Sequence, residues 1–102
     1  MKTLHLTLKK KWFFLILSGV KKEEYREIKP YWSKRLTQRD NPFKFVKYDT
    51  ITFKNGYSKN APTMVVELKG VKYGECVPEW SDNYEGKAFV LSLGDILETK
   101  NY

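Results

Sequence analysis

Trp12-Phe13-Phe14-Leu15-Ile16-Leu17-Ser18-Gly19-Val20-Lys21-Lys22-Glu23-Glu24-Tyr25-Arg26 is an apolar run, a glycine and then a segment dense in charges of both signs. Phe13, Ile16 and Leu17 stand at i, i+3 and i+4, with Trp12 and Leu15 widening the stripe, so the spacing predicts a short helix over Lys9–Ser18. Gly19 stops it, because glycine enters the left-handed conformation of a helix C′ position at little steric cost. The charged segment Lys21–Ile28 then reads as extended. Glu24, Arg26 and Ile28 share one face and Glu23, Tyr25 and Glu27 the other, with Lys21 in or beside the turn. The Trp and Phe residues read as core, with base stacking as their alternative use.

Upstream, Leu4, Leu6 and Leu8 alternate with Thr3, His5 and Thr7, the period of a half-buried strand. His5 falls on the polar face without a neighbouring ligand and is assigned no chemistry. Downstream, Pro30 suits the first turn of a second helix, Tyr31 to Leu36, which presents Lys34 and Arg35 and packs Trp32 and Leu36 inward. Gln38 to Pro42 reads as a loop and Phe45 to Phe53 as a strand. Asn55-Gly56 offers the positive-φ pair of a tight hairpin, with Tyr57 opening the returning strand. Thr63 to Tyr73 is the next extended run, with Gly70 a bulge or bend. Tyr73 to Gly86 is an irregular connection with a short helical turn at Pro78-Glu79-Trp80. Ala88 to Leu93 is an almost wholly apolar and therefore central strand, and Gly94 to Glu98 a terminal turn or one helical turn. The pattern predicts a single α+β domain spanning 1–102: a small β-barrel of five to six strands, with two short helices near the N-terminus.

The net charge of +7 is unevenly placed. Residues 1–37 carry ten Lys or Arg and three Glu, and residues 38–102 carry nine of each sign, so the whole excess lies in the first third. Clustered cations gain from counterion release on a phosphate backbone, which favours an anionic partner; the alternative is a solvated face that aids solubility. Cys76 is alone, which suits a reducing, cytoplasmic setting, and the Cys and His residues give no metal-ligand spacing, so no cofactor is expected. The apolar run Trp12–Leu17 falls far short of the roughly 20 residues that span a bilayer, and no membrane partner is expected.

Gly19, Lys21, Glu24 and Arg26 match G-x-K-x-x-E-x-R. With an opening strand and apolar helix before it, Tyr31-Trp32 after it and a late strand ending Phe89-Val90-Leu91-Ser92-Leu93, the chain resembles the ASCH domains of the PUA-like superfamily. The resemblance covers essentially the whole chain. It implies a pseudobarrel with a ligand cleft beside the motif, lined by Lys21, Glu24, Tyr25 and Arg26, and RNA or a nucleotide-like anion as partner. Some small ASCH proteins look like amidohydrolases that deacetylate acetylcytidine with a lysine, a threonine and a glutamate. The family lysine falls on Lys21, the family threonine falls on Glu24, and Glu75 and Glu79 are the candidates for the catalytic glutamate. If the chain is an enzyme, Lys21 and Glu24 are its catalytic residues. With Glu24 close, Lys21 is expected to stay protonated and ion-paired, holding a phosphate or carbonyl oxygen. Besides binding and hydrolysis, two readings remain: a protein-interaction module with a basic face, and a purely structural Lys21–Glu24–Arg26 ion network.

Overall fold

The computed structural model describes residues 2–82 and 86–101. Its elements run β1 (Thr3–Leu8), α1 (Lys10–Leu17), β2 (Glu23–Arg26), α2 (Pro30–Leu36), β3 (Thr37–Gln38), β4 (Asn41–Phe45), β5 (Thr50–Asn55), β6 (Thr63–Glu75), a 3-10 turn (Pro78–Trp80) and β7 (Lys87–Lys100). Five strands form one mixed sheet in the order β1-β5-β6-β7-β2, with β1 and β5 parallel and the other pairs antiparallel; β3 and β4 form a separate two-stranded hairpin. The α+β class and both helices agree with the sequence. The closed barrel does not: β1 and β2 are the free edges of an open sheet.

The alternation in β1 buries Leu4, Leu6 and Leu8, which join Ile51, Phe53, Met64, Val66 and Leu68 under α1 and α2, where Phe13, Ile16 and Leu36 close the core. Gly19 has φ +84° and its N–H donates to the Ile16 carbonyl, so the chain doubles back at the end of α1; the Lys21 N–H then reaches the Leu15 carbonyl. Strand β7 explains its own composition. Phe89 and Leu91 face the main core, whereas Ala88 and Val90 face a second cluster with Tyr25, Cys76, Val77 and Trp80. Burial on both faces removes the polar alternate positions that a half-exposed strand shows.

Several expected boundaries move. Gln38–Pro42 is not a loop but most of the β3–β4 hairpin, stabilised where the Phe43 N–H donates to Asn41 Oδ1 and tied to the sheet where Tyr73 Oη donates to the Pro42 carbonyl. Phe45–Phe53 is not one strand. Val46 N–H turns aside to the Leu36 carbonyl, and Asp49 brackets the start of β1, donating its N–H to the Lys2 carbonyl and accepting from Lys2 N–H, so β5 begins only at Thr50. Gly56 has the expected positive φ, yet the connection is longer than a tight turn. Asn55 N–H closes it on the Pro62 carbonyl, leaving Tyr57 exposed and outside β6. Gly94–Glu98 is neither turn nor helix but part of β7. A Cβ at Gly94 would meet the Glu67 side chain, so the glycine makes room for β6 where its ladder shifts register between Val65 and Gly70. The expected irregularity at Gly70 belongs to the same distortion. The 3-10 turn at Pro78–Trp80 is as expected, though Tyr73–Glu75 belong to β6 and Asn83–Glu85 lie outside the described residues.

Phe89 is fully buried, with its ring 5.1 Å from Tyr73 and 6.3 Å from Phe45 between centroids. Truncation there opens a cavity shared by the sheet and the hairpin. Phe89→Ala is expected to lower the unfolding free energy by about 3–5 kcal/mol, measured by denaturant melts.

Candidate functional site

Lys21, Glu24, Tyr25 and Arg26 all line one cleft of about 850 Å³. Strand β2 pairs with β7 in the register Glu24↔Leu91 and Arg26↔Phe89, which fixes the carboxylate and guanidinium two residues apart. Lys21 sits just before that strand, at the end of the Gly19 turn. Its Nζ donates to Glu24 Oε1 and to the Trp80 carbonyl, both at 2.8 Å, and stands 4.1 Å from the Trp12 ring centroid. Arg26 Nη1 donates to Glu24 Oε2 at 2.8 Å and to the Tyr25 carbonyl at 2.9 Å, and Nη2 to the Thr7 carbonyl at 3.2 Å. Glu24 is thus held between two cations. Arg26 in turn spans from edge strand β2 to edge strand β1, across the seam where the sheet fails to close.

The three charges differ in access. The side chains of Lys21 and Glu24 are 1% and 4% exposed and form the floor, whereas Arg26, at 18%, reaches the opening with its guanidinium carbon 5.1 Å from the Trp32 ring centroid. Desolvating Lys21 favours its neutral form, and Arg26 adds to that; Glu24 opposes it by attraction and by its hydrogen bond. Burial wins, and the Lys21 pKa lies below its ordinary value. The expectation of an ion-paired lysine holds in geometry, but the ammonium is less favoured than a surface one.

Tyr25 is buried and committed. Its hydroxyl donates to Glu23 Oε1 at 2.7 Å and accepts from Val77 N–H at 3.0 Å, and burial pushes its pKa far up. It anchors the segment that carries Trp80 to Lys21, and the Lys21 ammonium stands 5.8 Å from its ring centroid. Glu75 and Glu79 are exposed and neither lines the cleft, so neither candidate for a late glutamate is placed there. Among the described residues the late acid in the lining is Asp82, which accepts from Trp12 Nε1–H at 3.0 Å and pairs with Lys9 at 3.0 Å; the Trp12 hydrogen bond is the main reason its pKa is lowered.

The sequence reading places the Trp residues in the core and keeps base stacking as their alternative use; the structure sets Trp12, Trp32 and Trp80 in the cleft lining. Trp12 is buried yet lies outside the main apolar cluster, with its face to Lys21 and its edge to Asp82. Trp12 sits on the same helix as the core residues, and only its tertiary neighbours distinguish it from them. Ser81 was missed. The residue lines the cleft, and its Oγ is buried without a hydrogen-bond partner among the described residues, a state few native hydroxyls tolerate without something else to bond. No group of three or more His, Cys, Asp or Glu among the described residues could hold a metal ion.

Because the folded pKa of Lys21 lies below the unfolded value of 10.5, the folded state sheds this proton first as pH rises. The unfolded chain then binds more protons, so stability increases with pH through the window between the two values. The unfolding free energy of the wild type relative to Lys21→Met is therefore expected to rise from neutral pH toward 10.5, no steeper than about 1.4 kcal/mol per pH unit. A flat difference in paired denaturant melts would show that Glu24 cancels burial, and a difference that falls with pH that it outweighs it.

No protein-family model matches the chain, and no match to it was found among curated proteins or solved structures. No helix among the described residues is long and apolar enough to cross a membrane.

Proposed function

We propose that the cleft binds RNA or a nucleotide-like ligand, taking a base between its aromatic walls. The observation that carries this reading is the pairing of aromatic surface with polar groups in one cavity. Trp12, Trp32 and Trp80 line a cavity that also holds the Arg26 guanidinium and the orphan Ser81 hydroxyl. Its volume lies within the range of small-ligand sites. Bases are recognised by stacking on aromatic or guanidinium planes and by hydrogen bonds to their edges, and this lining offers both. Lys21 and Glu24, being the floor, act mainly by holding Arg26 in place. Kinship with ASCH domains and their PUA-like relatives is part of this proposal and rests on the G-x-K-x-x-E-x-R spacing. In titrations of short single-stranded RNA followed by fluorescence, Trp32→Ala and Arg26→Ala are expected to weaken binding about tenfold or more. Affinity unchanged in both variants, with the fold intact by circular dichroism, refutes the assignment.

One observation favours a hydrolytic reading of the same cleft. The depressed pKa of Lys21 enriches the free amine, which can take a proton from a water attacking an amide carbonyl. For acetylcytidine, water adds to the acetyl carbon, the bond to the exocyclic nitrogen breaks, and cytidine and acetate leave. On this reading purified protein releases acetate from acetylcytidine, and Lys21→Ala abolishes the release. Absence of acetate with wild-type protein excludes it.

A further inference from the structure

We infer that a second groove adjoining the cleft, on the outer face of the sheet and with no acid in its lining, holds the phosphates flanking the bound base, so that the partner is a single strand of several nucleotides rather than a mononucleotide. The inference rests on the base-binding reading of the cleft.

The groove, about 440 Å³, runs across β1, β5 and β6 to the end of β7. Strand register builds it. Thr7 stands opposite Lys54, Lys54 opposite Thr63, and Thr63 opposite Lys100, which places hydroxyl, ammonium, hydroxyl and ammonium in one row perpendicular to the strands. Adjacent strands lie about 4.8 Å apart, so the row extends roughly 14 Å. Beside it lie His5 and Thr52, an opposed pair one pleat away on the same face, and Lys59 from the β5–β6 connection. No Asp or Glu contributes to the lining, and none of Lys54, Lys59 and Lys100 makes an ion pair among the described residues.

The cleft is the opposite case. Lys21 and Arg26 are engaged by Glu24, Lys9 by Asp82 and Lys29 by Glu27, so most of its cations are already compensated. A strand entering both places meets aromatic surface with mostly ion-paired cations in one, and in the other lysines without an ion-pair partner among the described residues beside hydroxyl groups. Bases suit the first and phosphates the second. The two adjoin at the ends of β1 and β5: Thr7 lines both, and Lys54 of the groove is followed in the chain by Asn55 of the cleft. The groove lysines all come from the part of the chain whose charges cancel overall, which is why the distribution along the sequence does not reveal it.

The test compares uridine monophosphate, oligouridylates of two to eight nucleotides and a poly-glutamate of matched charge, titrated against wild type, Lys54→Ala/Lys100→Ala and Trp32→Ala. Affinity is expected to climb with length. The double lysine variant should leave monophosphate binding unchanged, weaken the octamer about tenfold or more, and reduce the slope of log affinity against log salt by about 1.4, two phosphates at roughly 0.7 each. Equal affinity for monophosphate and octamer, or an octamer indifferent to the lysine variant, overturns the groove and leaves the cleft reading standing. An octamer sensitive to the lysines but indifferent to Trp32→Ala overturns the cleft reading and leaves a separate phosphate site. Poly-glutamate binding as tightly as the octamer, or no binding of any oligouridylate, overturns the inference.

Discussion

The site depends on one costly arrangement, a carboxylate buried between two cations. Removing an ammonium and a carboxylate from water costs several kcal/mol each, and their attraction offsets this only when the geometry is good and the remaining hydrogen-bonding capacity is used. Glu24 meets both conditions by giving one oxygen to Lys21 and the other to Arg26. The Trp80 carbonyl and the Trp12 face supply Lys21 with further compensation, and backbone carbonyls of Tyr25 and Thr7 do the same for Arg26. Apolar side chains of the same volume would fill the space with less expense. A network retained at that cost fixes the direction of the guanidinium, and through it the shape of the cleft mouth.

That network also explains how an open sheet supports a defined cavity. Backbone ladders hold β2 to β7 and β1 to β5, but between β1 and β2 the sheet is bridged by a side chain. The seam is therefore polar, narrow and spanned by a group that can hydrogen-bond elsewhere. A ligand approaching it disturbs a side chain and leaves the strand ladders intact.

Much of the fold was legible because local signals agreed with tertiary demands. The Leu4-Leu6-Leu8 alternation, the apolar stripe of α1, Gly19 and Pro30 each state a backbone conformation that packing also requires. The misread segments are those in which long-range pairing overrides local chemistry. Asn41-Pro42 carries turn residues into a strand because β3 supplies a partner, and Gly94-Asp95 stays extended because β6 needs the space above the glycine. In the site, the ion triad was readable since its members lie within six residues of one another. Trp12, Ser81 and Asp82 were not, because they reach it from elements brought in by packing. Nor was the basic groove, whose row exists only once four strands are in register.

Strand β7 carries one more consequence. From Ala88 to Leu91 it shows alternate side chains to the main core and to the cluster behind the cleft, so a shift of a single residue would exchange the two sets and place Phe89 where Val90 belongs. The irregular pairing with β6 is confined to Val65–Gly70, and from Gly70↔Ser92 to Glu75↔Lys87 the two strands advance one for one. The molecule thus keeps its tolerance for insertion at one end of this ladder and its alignment at the other. Length changes absorbed near Gly94 would leave the cleft untouched, while the same change near Ala88 would rewrite core and cleft together.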